Sequence, residues 1–191
     1  MEFPKANHHD LAGGDRQDEV HATKFLLNTG YVDAKKIGIP GGSHGGFMTL
    51  MAIGKTHDVW AAAVGTYGII DWQTMLQYED PSLQEYDKSL LGDPVKDKAV
   101  YEATSPITYI RNETAPLLIL QSKNDIRAAR EELEQAYDVL KKGRPHPRRA
   151  FLSGGKTRIP RRENQIDSIP RTVDWFDTYL KGAGSSSAAS N

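Results

Sequence analysis

Residues 41–45 read Gly41-Gly42-Ser43-His44-Gly45, a G-x-S-x-G pattern. Glycines on both sides of a serine suit a tight strand-to-helix turn, where flanking side chains would collide with the backbone. Such a turn exposes the serine oxygen and points the next helix's N-terminus at charge developing beside it. The chemistry implied is nucleophilic attack by the Ser43 hydroxyl on a carbonyl carbon. The backbone N–H of His44 then lies where one oxyanion donor is required. The His44 side chain, next in sequence, points away from the serine and is read as packing. An acid should follow at the end of a later strand. In "LLILQSKND" Asp125 stands just past an apolar run; its other reading is a loop aspartate that caps the following helix.

These residues need elements to hold them. "KIGI" (36–39) is a short β-like run, and Gly45 to Ile53 reads as a helix that can bury Phe47, Met48, Met51 and Ile53. The runs "VWAAAVG" (59–65) and "APLLILQ" (115–121) are continuous and apolar, as strands buried on both faces are. Asp18 to Asn28 reads as a helix with Val20, Ala22, Phe25 and Leu26 available for burial and Gly30 as its stop. Residues 71–104 are polar and broken by Pro81, Gly92 and Pro94, which predicts short helices and loops. Glu131 to Lys142 is a helix ending at Gly143, "RRAFLS" (148–153) a weak strand, and Glu163 to Lys181 a final helix that Pro170 interrupts or starts. Alternating strands and helices predict an α/β fold with a mostly parallel sheet of about four strands. A sheet that small has two edges to protect.

Composition narrows the partners. The 191 residues suit one domain, and the net charge of −1 offers nothing to nucleic acid or to a membrane surface. No cysteine is present, which removes thiolate metal sites and cysteine nucleophiles. No run is long and apolar enough to span a membrane, and the N-terminus lacks the apolar middle of a signal peptide, so a cytoplasmic location is expected. Residues 182–191 are small and polar and are expected to form a flexible tail. Glu79, Asp80 and Asp87 show no metal-ligand spacing. Asp71 and Trp72 follow the second strand and are read mainly as packing, as are Tyr101, Pro106 and Tyr109.

The stretches "GYVDAKKIGIPGGSHGGFMTLM", "SPITYI", "APLLILQSKND" and "RRENQI" together resemble the catalytic domain of the prolyl oligopeptidase family, in its acylaminoacyl-peptidase and dipeptidyl-aminopeptidase-like branch. The resemblance implies an α/β-hydrolase-like fold over residues 1–181, lacking the first strands of the full fold. It implies a Ser-Asp-His triad, no cofactor and no metal, and cleavage of peptide, amide or ester bonds. By position Ser43 is the nucleophile, Asp125 the acid and His44 the first oxyanion donor. An N-terminally truncated sheet also implies an open edge through which the chain would self-associate.

One position departs from the family. Counting back from Arg162-Glu163-Asn164 puts Thr157 where the family carries its catalytic histidine and Arg158 where it carries glycine. None of the six histidines occupies that place; His146 is nearest in sequence. Threonine does not take a proton near neutral pH. Read one base later, Phe151 to Arg158 can encode a run that resembles the family's approach to its His-Gly, which implies a shifted frame over roughly residues 144–158. Two functions are therefore expected: a serine hydrolase acting through an acyl-enzyme on Ser43, with activity weak or lost, or a catalytically silent α/β-hydrolase-like domain that binds or supports.

Overall fold

A computed structural model describes residues 6–56, 58–122, 130–141, 148–153 and 162–181. Its centre is a sheet of four parallel strands in the order β1 (Gly38–Gly42), β2 (Ala62–Thr66), β3 (Leu117–Ser122) and β4 (Arg148–Ser153). The register pairs Gly38 with Ala62, Ala63 with Leu117, and Leu117 with Arg148. Helix α1 (Gly14–Asn28) and a 3-10 turn (Ala34–Lys36) precede the sheet, and α2 (His44–Lys55) joins β1 to β2. Helices α3 (Trp72–Tyr78), α4 (Pro81–Leu91) and α5 (Lys98–Thr104), with two 3-10 turns, lie between β2 and β3. Helix α6 (Arg130–Lys141) lies between β3 and β4, and α7 (Arg162–Phe176) follows β4 and continues as a π-helical stretch, Asp177–Lys181.

Strand residues alternate between faces, which sorts the apolar runs into two cores. Ala63, Leu117 and Ile119 face Leu50 and Ile53 of α2 and Leu133, Ala136 and Leu140 of α6. Ala62, Val64, Leu118 and Leu120 face Trp175 of α7. With both faces covered, β2 and β3 require the unbroken apolar runs that the sequence shows.

Several boundaries differ from expectation. Strand β1 begins at Gly38, because Lys36 closes the 3-10 turn, and it runs on through Pro40. Ile37 C=O accepts from Ala61 N–H, and Ser43 N–H donates to Thr66 C=O. Odd-numbered residues therefore face β2, and the N–H that Pro40 lacks falls on the outer side, where no described strand pairs. The second strand starts at Ala62, so Val59 and Trp60 precede it. Helix α1 starts at Gly14 and does not bury its expected face: Phe25 is 71% exposed, Leu26 44%, and Ala22 is exposed as well. Val20 lies on the opposite side of the helix from these three, so they form no single stripe, and Thr23 is its one buried residue. Pro170 neither interrupts nor starts α7 but sits exposed inside it. The Arg171–Asp167 ion pair at 2.8 Å spans it, and the buried Trp175 anchors the turn beyond. Residues 182–191 and the expected stop Gly143 lie outside the described residues.

Candidate active site

Ser43 sits between the end of β1 and the first turn of α2 with φ 57° and ψ −123°. A residue with a side chain at positive φ is strained, and such strain collects at functional turns. The N–H of Ser43 is fixed by Thr66 C=O at 2.9 Å, and its C=O accepts from Phe47 N–H at 3.0 Å. A serine that opens a helix usually caps it by accepting an N–H of the first turn. Ser43 makes no such bond, and it is exposed. Its hydroxyl is held out and is not spent on capping. His44 begins α2, so its N–H is one of the four without an intrahelical partner. Its imidazole leans on Phe47, with ring centroids 5.3 Å apart.

The glycines around Ser43 serve different purposes. A Cβ on Gly41 would lie 2.0 Å from Gly45 C=O oxygen and 2.6 Å from Thr49 Oγ1, so strand and helix meet only because that position has no side chain. A Cβ on Gly45 would meet nothing within 4 Å. The expectation of crowding on both flanks holds for Gly41 and not for Gly45. The helix-side contact falls instead at Gly46, whose backbone presses on Gly68: a Cβ on Gly68 would lie 2.5 Å from Gly46 carbonyl carbon.

Residues 66–72, the exit of β2, form a wall beside this turn. Thr66 supplies the Ser43 acceptor, the Tyr67 phenol lies over Gly42, and Gly68 touches Gly46. Trp72 meets Phe47 edge-on at 5.4 Å and 72°. Tyr67 itself takes φ 42°. Asp71 caps α3, accepting from Gln73 N–H at 3.2 Å and from the Thr74 hydroxyl at 2.7 Å. Trp72 is buried. Trp72 packs, as read from the sequence, and Asp71 caps, a role the packing reading did not include.

Strands β1, β3 and β4 are parallel, so the connections leaving them start at the same, C-terminal end of the strands. Ser43 is in the first. Asp125 belongs to the second, between Ser122 and Arg130, and Thr157 to the third, between Ser153 and Arg162. Asp125, Thr157, His57 and His146 lie outside the described residues. Among the described residues no three histidine, aspartate or glutamate side chains converge as metal ligands, and no helix is long and apolar enough to cross a membrane.

Two carboxyls near the turn escaped the sequence reading as a pair. Glu79 is 5% exposed and Asp87 is also buried. Burial first, then the Asp87 charge, pushes Glu79 up to about 8, and burial raises Asp87 as well. The Glu79 oxygens have no N–H or O–H donor beyond the proton a carboxyl pair must share. The pair forms across the α3–α4 corner, a juxtaposition that same-helix spacing does not reveal. Its sign follows from linkage: the folded state holds a proton that the unfolded chain, near 4.5, releases. Stability from this pair is present at and below 4.5 and is lost as pH rises toward about 8. Thermal melting should therefore fall across that window, and Glu79→Gln should flatten the fall; an unchanged pH profile in the variant would remove the pair as its cause.

A profile of the prolyl oligopeptidase family matches residues 1–183. The chain belongs to this family. It is 30% identical over 194 residues to the uncharacterized peptidase YuxL of Bacillus subtilis, a match that covers 94% of this chain and 28% of that protein. It is 30% identical over 173 residues to the acylamino-acid-releasing enzyme of Sus scrofa, covering 87% of this chain and 24% of the relative. The acylaminoacyl peptidase of Pyrococcus horikoshii superposes with TM-score 0.85 at 26% identity, over 96% of this chain and 31% of that one. The chain thus spans about a quarter to a third of the length of these proteins. Its parallel sheet flanked by helices is part of the α/β-hydrolase fold of those peptidases, and the family is one of serine peptidases.

Proposed function

We propose that this chain carries the nucleophile of a serine hydrolase that cleaves peptide, amide or ester bonds. The Ser43 oxygen attacks the substrate carbonyl, the amine or alcohol leaves with a proton, and water then releases the acyl group from Ser43. The His44 N–H faces the developing oxyanion, and Asp125 takes the acid position of the triad. The observation that carries this reading is Ser43 itself: strained at φ 57°, exposed, and with its hydroxyl unused as a cap.

One observation favours a second reading, a silent domain that binds or supports. Counting back from Arg162-Glu163-Asn164, the resemblance puts Thr157 at the family's histidine position, and a hydroxyl cannot relay the serine's proton near neutral pH. A fluorophosphonate probe and a p-nitrophenyl ester assay on the wild type and Ser43→Ala separate the two. The serine-hydrolase reading expects labelling and turnover that Ser43→Ala abolishes. Equal background in both proteins selects the silent domain.

A further inference from the structure

Glu132 is fully buried on α6, on the same stripe as Leu133, Ala136 and Leu140. Its Oε1 accepts from Asp71 N–H at 2.8 Å and from Ile70 N–H at 3.1 Å. A carboxylate is an expensive acceptor to place in a core, and here it spans 61 residues of sequence to serve two backbone amides. Those amides close the far end of the wall beside Ser43. Other bonds pin the same corner: Ile107 N–H donates to Ile70 C=O at 3.0 Å, and Trp72 N–H donates to the Ser105 hydroxyl at 3.0 Å. The near end of the wall touches the serine turn through Thr66, Tyr67 and Gly68, and Trp72, just past the corner, meets Phe47 of α2. Helix α6 is also the first described element after the connection that contains Asp125.

From this geometry we infer that Glu132 is a positioning residue for the serine turn. Its carboxylate clamps the Ile70–Asp71 corner so that residues 66–72 hold Ser43 and His44 in place, and it ties that wall to the helix following Asp125. The role in catalysis rests on reading Ser43 as the nucleophile; the clamp itself does not.

Amide hydrogen exchange on the full chain tests the clamp. Glu132→Ala should speed exchange about tenfold at residues 70–72 and also at Ser43 and Phe47, the hydrogen-bonded amides of the serine turn, while β3 amides keep their protection. Glu132→Gln keeps a carbonyl acceptor and should stay within about twofold of wild type. Leu133→Ala, one residue along, removes buried packing without touching these amides, and should leave Ser43 and Phe47 no faster than the rest of the core. Should Glu132→Ala fail to fold, Glu132→Asp, whose carboxyl is set back by one methylene, is read the same way. Exchange at Ser43 and Phe47 that merely follows global exchange in the Glu132 variants overturns the inference. Fluorophosphonate labelling of Ser43, per folded molecule, should slow about tenfold in Glu132→Ala and recover in Glu132→Gln. A wild type that does not label defeats the serine-hydrolase reading, and the clamp then stands or falls on the exchange data.

Discussion

Replacing Thr157 by histidine together with Arg158→Gly is expected to raise ester hydrolysis by roughly three orders of magnitude or more. The size comes from other serine hydrolases, where loss of the triad base costs on the order of 10⁴ to 10⁶ in turnover. The physical reason is proton affinity. A threonine hydroxyl is neither a base nor an acid near neutral pH, whereas imidazole titrates there and can take the serine proton and return it to the leaving group. Arg158→Gly is included because the resemblance that puts Thr157 at the histidine position also puts glycine after it. Two further results identify the cause. The gain should disappear when Ser43→Ala is added. It should also rise with pH through the imidazole range, near 6.5, because only the neutral ring accepts a proton. A double variant no faster than wild type would overturn the assignment of Thr157 to the base position, or place the deficit in parts of the relatives that this chain does not span.

How much of this was legible in the sequence differs from residue to residue, for physical reasons. The strand at Leu117 announced itself, because a strand covered on both faces must be apolar throughout. The Ser43 turn was legible because few residues other than glycine let a strand and a helix meet so closely. The bounds of β1 were not: the 3-10 turn through Lys36 delays its start, and its run past Pro40 is clear only once the missing N–H is seen to face away from β2. The exposure of Phe25 was hidden too: apolar residues on a helix are ordinarily read as buried, and nothing in the local spacing says what covers them. Glu132 did carry a signal, since it occupies an apolar stripe with Ala136 and Leu140, yet an acidic residue among Glu131 and Glu134 reads as solvated surface. Glu79 and Asp87 meet only because α4 folds back after Asp80 and Pro81, a tertiary event.

The two glycines of the motif should respond in opposite ways to the same added methyl group. Gly41→Ala places a Cβ 2.0 Å from the Gly45 oxygen and 2.3 Å from its carbonyl carbon. Both atoms are backbone, so relief requires β1 and α2 to move apart, and β1 is already held to β2 by its ladder. The expected loss is about 3 kcal/mol, at the upper end of ordinary overpacking. Ser43 labelling should fall with it, because the same contact sets the strained turn. Gly45→Ala adds its Cβ to open space in the first turn of α2, where alanine is the better helix former. Its stability should be unchanged or higher by roughly 0.5 kcal/mol. Denaturant unfolding of the two variants measures the difference directly. Equal losses would mean that the motif's glycines are needed for backbone freedom as a pair. Opposite effects would mean that only Gly41 is needed, as the point where strand and helix touch, and that a side chain at position 45 is compatible with the turn that presents Ser43.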